Sequence, residues 1–292
     1  MPVTATKGGL KVRTGNIPEP ESTGYEPRKQ WFGEKGTVAC AVWSRADAWI
    51  CDFPGHGRFR ITGSVIEACL ADGASPSNLR HLLLHQVIPR LMGSRGSLIV
   101  HAAAVSLTEG KAILLFGESG RGKSTLAAAC LSNGAKLLSD DAVKLEIGSD
   151  GVWVTGAYPG LRLSKGTSEQ FDFSGKAHDI PGIQWGKRQS RVHQVESTNA
   201  CALGAAYVLG GASNEFSGPV KIEKMTPSET LQVLVDSVFC LDPSDQNSTV
   251  RAFEDSAAAV RTGFPSYLLD FPRKLDHLPQ VIAALNEHKD AL

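Results

Sequence analysis

The chain has 292 residues, enough for one large domain or two small ones, and 42% of them are apolar, ample for a packed core. Its 30 basic and 30 acidic residues cancel and are interspersed, so no basic stripe marks a nucleic-acid surface and no polybasic run a membrane surface. The apolar run at 98–107 is too short to span a bilayer and is broken by His101; the start Met1-Pro2-Val3-Thr4 does not read as a signal peptide. Six scattered cysteines without a C-x-x-C pair read as reduced thiols, so a cytoplasmic protein without nucleic-acid or membrane partners is expected.

Residues 1 to about 30 are rich in Gly, Pro, Thr and Glu, with little periodicity, and are expected to be a flexible tail. Short apolar alternations at 38–43, 48–53, 58–61 and 65–70, separated by turn residues, predict four strands. Ser75-Pro76 reads as an N-cap with proline at the first helical position, opening a helix to about Gly93. That helix carries His81 and His85 at a metal-pair spacing, but no third ligand is evident, and packing histidines are the ordinary alternative. The stretch 97–105 predicts a strand carrying His101, joined through Thr108-Glu109-Gly110 to the apolar run 112–116 as an antiparallel hairpin.

After that run comes Gly117-Glu118-Ser119-Gly120-Arg121-Gly122-Lys123-Ser124-Thr125, which fits G-x-x-x-x-G-K-[ST] at every fixed position. The apolar residues 126–131 follow as a helix. Glycines in such a strand–loop–helix let backbone N–H groups turn inward onto phosphate oxygens at the positive end of a helix dipole. Lys123 adds a charge for the β- and γ-phosphates, and the Ser124 hydroxyl is placed to ligate Mg²⁺. Gly134 stops the helix. A short strand 135–139 then ends in Asp140-Asp141, either a turn or the carboxylates that hold Mg²⁺ or accept a nucleophile's proton. His101 is likewise a satisfied core residue or the partner of such a carboxylate.

The His101 strand, the Gly117–Ser124 loop and the Asp140-Asp141 strand end together resemble the catalytic domain of HPr kinase/phosphorylase and the wider HPr-kinase-like group. The match covers roughly residues 97–147. The flanking Leu82-Leu83-Leu84-His85-Gln86-Val87-Ile88-Pro89, Tyr158-Pro159-Gly160-Leu161-Arg162-Leu163 and Leu269-Asp270-Phe271-Pro272-Arg273 resemble the branch that includes lasso-peptide kinases. The resemblance implies an α/β fold with a P-loop kinase core and a mixed β-sheet. It divides the chain into a tail (1–30), a small β-rich region (31–96) and a catalytic domain (97–292). It also implies that Asp140 takes the acceptor hydroxyl's proton, that His101 orients or tunes it, and that Asp141 helps hold Mg²⁺ or the site geometry. The second signature of HPr kinase/phosphorylase, Glu-x-Arg-Gly-x-Gly, is absent, which puts phosphorolysis in doubt. Its N-terminal regulatory domain is not recognisable either.

Downstream, 142–147 and 152–155 predict a hairpin. The polar stretch 156–199 carries Arg162, Lys165, Lys187, Arg188 and Arg191; phosphoryl transfer needs cations on the migrating group, with Arg188 or Arg191 preferred, then Arg162, and a solvated surface loop the alternative. Core strands are expected at 202–209 and 220–224, a helix opened by the capping box Thr226-Pro227-Ser228-Glu229, a second helix at 248–262, a strand at 266–271 and a closing helix at 278–288. The expected activity is a Mg²⁺-dependent ATP kinase acting on a serine hydroxyl of a peptide or small protein, such as a lasso-peptide-type precursor. The alternatives are a kinase of a small carrier protein or free serine, and an acceptor-independent ATPase switch. A homo-oligomer is compatible with the sequence, which carries no interface signature to decide it.

Overall fold

The computed structural model describes residues 4–5, 9–19, 26–33, 36–45, 47–108, 111–156, 160–161, 163, 167, 170–171, 177–179, 190–192, 200–210 and 218–289. The chain divides into two units. Met1–Ser94 and Cys240–Thr249 belong to the first; Arg95–Ile180, Gln184–Phe239 and Val250–Leu292 form the second.

The first unit is built on strands β1 (Thr4–Ala5), β2 (Lys11–Thr14), β3 (Lys29–Phe32), β4 (Val38–Arg45), β5 (Ala48–Phe53), β6 (Gly57–Thr62) and β7 (Val65–Leu70). They form a sheet in the order β1-β2-β7-β6-β5-β4-β3. β6 shows why: Gly57, Phe59 and Ile61 are buried while Arg58, Arg60 and Thr62 are half-buried, a period of two that puts one face on the core. Ser75 accepts a hydrogen bond from the Ser77 N–H and starts α1 (Pro76–Leu82). One π-turn (Leu83–Val87) then leads into α2 (Ile88–Ser94). The single helix expected here is interrupted because Pro89 has no N–H and its ring would strike the carbonyl four residues earlier; the wider turn, closed by Ile88 N–H to Leu83 O, makes room. Leu79, Leu82, Val87 and Leu91 enter the core with Phe59, Ile61 and Ile66.

Two expectations need correction. Residues 9–19 are not a tail: β2 pairs in parallel with β7, and Leu10 and Ile17 are buried. Arg58 ties this segment down, reaching Asp52 at 2.8 Å, Glu19 at 2.6 Å and the Ile17 carbonyl at 3.2 Å. Parallel pairing with a strand some fifty residues away leaves no local trace, which is why composition misread it. Residues 240–249 belong to the first unit, where Leu241 is fully buried, and not to a domain running 97–292.

The second unit contains β8 (Leu98–Val100), β9 (Ala103–Thr108), β10 (Lys111–Phe116), α3 (Lys123–Ser132), β11 (Lys136–Ser139), β12 (Val143–Gly148) and β13 (Gly151–Gly156). The short β14 (Ala177–Asp179) and β15 (Ser190–Val192) pair with each other. Then come β16 (Cys201–Leu209), β17 (Lys221–Lys224), α4 (Pro227–Ser237), α5 (Gln246–Arg261, of which residues from Val250 on belong to this unit), β18 (Ser266–Asp270) and α6 (Leu278–Lys289). The mixed sheet runs β11-β9-β10-β16-β13-β12-β8, with β18 on β16 and β17 on β18. β9 and β10 are antiparallel, whereas β10, β16 and β18 run parallel.

β10 reads as an unbroken apolar run because both of its faces are covered. Ile113 and Leu115 join a core with α3 and α6; Ala112, Leu114 and Phe116 join another with Leu234 of α4 and Ala259 of α5. β17, expected in the core, is an edge strand with its lysines exposed. His101 does not sit in a strand; β8 ends at Val100 and β9 begins at Ala103. None of the six cysteines is in a disulfide, and burial pushes the Cys40 thiol up to about 11 and Cys130 up to about 12. Among the described residues no helix is long and apolar enough to cross a membrane.

Candidate active site

The glycine-rich loop leaves β10 at Phe116 and enters α3 at Lys123. Gly120 and Gly122 have φ of +83° and +94°, the left-handed region that side-chain-bearing residues avoid, and these two turns curl the loop. No side chain caps α3, and its first turn holds no acidic residue, so nothing from its own turn would compete with an anion for the positive end of the helix. Lys123 is buried; its Nζ donates to the carbonyls of Gly117 at 2.6 Å and Glu118 at 3.2 Å, folding the ammonium back across the loop. Arg121 pairs with the exposed Glu118 carboxylate at 2.7 Å. Ser119 is exposed, and Ser124 and Thr125 are half-buried in the first turn of α3.

Strand register brings the other residues here. Leu115 of β10 faces Ala103 of β9, and Ala104 faces Ser139 of β11. β10 and β11 are both antiparallel to β9, so they run the same way. The loop after Phe116, Asp140-Asp141 after Ser139 and His101 just before β9 therefore lie beyond neighbouring strand ends. At His101-Ala102 the chain passes from β8 to β9, and at Asp140–Ala142 from β11 to β12. His101 joins the two crossings, its Nδ1 3.0 Å from the Asp141 carbonyl, and within the second crossing the Ser139 hydroxyl donates to Ala142 O at 2.7 Å. The His101 N–H also donates to Ser237 O at 2.7 Å, and its ring meets Phe239 edge-on at 5.8 Å. Through these contacts His101 holds the turn that carries Asp140, which is only 1% exposed.

Gly156 closes this corner from β13. A Cβ there would lie 1.9 Å from the Leu138 carbonyl oxygen, so only glycine lets the strand ends approach. Gly156→Ala is expected to cost about 1–3 kcal/mol through overpacking. It should also displace Asp140, so catalytic loss in the folded variant should exceed the loss in thermal stability; full activity would show that the approach does not position Asp140.

Arg188 and Arg162 lie outside the described residues. Arg191 is in β15 opposite His178 of β14, where only the backbone is described. The His81 and His85 rings lie 4.4 Å apart, tilted by 36°, with no cluster of three or more His, Cys, Asp or Glu around a common point among the described residues. Two site features escaped sequence reasoning. One is Gly156. The other is Gly210 with Asp270 and Arg273, at the ends of β16 and β18; a Cβ at Gly210 would lie 2.0 Å from Asp270 Oδ1. The only sequence signal was the Leu269–Arg273 segment itself, noted as a flank.

No family model and no curated protein matches the chain. Among solved structures it is similar to the Hpr(Ser) kinase/phosphatase from Coxiella burnetii, at 14% identity and a TM-score of 0.33, over 66% of this chain and 99% of that one. What the site can do follows from its own residues: a curled loop with a buried ammonium folded across it, an uncapped helix end, and two carboxylates beyond a neighbouring strand end. Ser124 and the Asp140-Asp141 pair offer hydroxyl and carboxylate oxygens, hard donors of the kind Mg²⁺ takes.

Proposed function

We propose that this chain is a Mg²⁺-dependent ATP phosphotransferase that passes the γ-phosphate to a serine hydroxyl of a peptide or small protein. The observation that carries the reading is the Gly117–Ser124 loop, curled between β10 and α3 with Lys123 folded across it, near the end of the strand that leads into Asp140-Asp141. The loop N–H groups and the α3 end bind the phosphates. Lys123 moves from the Gly117 carbonyl to the β- and γ-oxygens and stabilises charge as the bond to the leaving oxygen breaks. Ser124 and Asp141 would hold Mg²⁺, which neutralises phosphate charge when bound. Asp140 accepts the acceptor hydroxyl's proton, and His101 positions Asp140 by fixing the Asp141 carbonyl. Arg188 or Arg191 supplies a further cation. Flank resemblance favours a ribosomally made peptide with a C-terminal serine as acceptor, in a cytoplasmic setting.

The test is transfer of label from γ-labelled ATP with Mg²⁺ to serine-bearing peptides, an HPr-like protein and free serine. Label on one acceptor, dependent on Asp140, is expected. ATP hydrolysis indifferent to every acceptor and to Asp140 would replace the kinase with a nucleotide switch.

A further inference from the structure

We propose that Arg273 is a phosphate-binding residue of this site, its guanidinium engaging the terminal phosphate of bound ATP beside Lys123; this rests on the phosphate-loop reading above. Ligands of sheets with parallel strands settle outside the carboxyl ends of those strands. Here three parallel neighbours end together: β10 leads into the loop, β16 into Gly210, and β18 into Asp270–Arg273. The loop's first residue packs on the end of β16, since a Cβ on Gly117 would lie 3.3 Å from Leu209 Cβ and 3.4 Å from its carbonyl oxygen. One residue further, Gly210 O accepts a hydrogen bond from Arg273 Nη2 at 2.8 Å. The Arg273 anchor thus adjoins the part of the loop where Lys123 Nζ rests, at the Gly117 carbonyl. Lys123 serves the β- and γ-phosphates, so this is the terminal end of the phosphate chain.

The guanidinium is also underused as it stands. It is stacked on the Phe271 ring at 3.9 Å, and among the described residues its buried Nε and Nη1 have no hydrogen-bond acceptor. Donors removed from water without an acceptor are costly. Burial pushes this guanidinium below the usual arginine range, Asp270 offsets part of that, and the neighbouring Arg121 charge adds to the lowering. A multiply charged oxyanion answers all of these at once: it accepts from the idle donors, and it screens the repulsion between two guanidiniums flanking one loop. The ring stack and the Gly210 carbonyl fix the plane of the fork before the anion arrives.

The test compares ATP, ADP and inorganic tripolyphosphate binding to the full chain by calorimetry, for wild type, Arg273→Met, Arg273→Lys and Lys123→Ala. Arg273→Met is expected to weaken ATP and tripolyphosphate by about 10–100-fold, the worth of a charge-assisted hydrogen bond, and ADP by less than about 3-fold. Arg273→Lys keeps the charge but loses the fork, so it should recover part of the ATP affinity. Should Arg273→Met fail to fold, the ATP-to-ADP affinity ratio of Arg273→Lys serves instead, with a fall of at least about 3-fold expected. If Lys123→Ala loses ATP while the Arg273 variants keep the wild-type ratio, Arg273 is a structural clasp for Gly210 and the proposal is overturned. If wild type binds none of the three more tightly than Lys123→Ala, the phosphate-loop reading falls, and Arg273 with it.

Discussion

Asp140→Asn is expected to lower phosphate transfer by about 10²–10⁴-fold, the usual worth of a general base, while ATP affinity stays within about 3-fold. The substitution suits the question because it keeps the side chain's shape. Asp140 is buried in a turn held by Ser139 to Ala142 O and by His101 at the Asp141 carbonyl. The amide fills the same space but takes no proton. Single-turnover transfer, with ATP binding measured separately, checks this. Equal loss of binding and transfer would make Asp140 a holder of the nucleotide or its metal instead of the base.

Lys123→Ala is expected to weaken ATP binding by about 10²–10³-fold and to reduce transfer at least as much, because it removes a buried cation from a polyanion. Some destabilisation of the free protein, about 1–3 kcal/mol, accompanies it, since the Gly117 and Glu118 carbonyls lose their donor. Thermal unfolding without nucleotide measures that part, and calorimetry with ATP the rest. Lys123→Arg should not restore full activity, because a planar fork does not reproduce a compact ammonium in a closed loop. Unchanged ATP affinity in Lys123→Ala would mean that the loop is not a phosphate site.

These two residues differ in how far the sequence exposed them. Lys123 stands in a motif whose spacing is itself the geometry: the residues that curl the loop and the residue that fills it are neighbours in the chain. Asp140 and His101 lie on different strand ends, and only the register of β9 against β10 and β11 brings them to the loop. The pairing of β2 with β7 depends on contacts that no local pattern encodes.

The sequence alone determined what rests on short-range physics. The strands at 48–53 and 65–70, the Ser75 cap, the Thr226 capping box and the glycine-rich loop all follow from alternation, capping and turn chemistry within a few residues. Tertiary structure alone decided which strand ends meet. It placed Gly156 against Leu138 and Gly210 against Asp270, and it set Arg273 on the Gly210 carbonyl beside the loop. The Gly210 and Arg273 juxtapositions arise from parallel neighbours far apart in the chain, whose pairing is selected by the burial of both sheet faces and not by any residue's own preference, and Gly156 meets Leu138 across two strands that do not pair with each other.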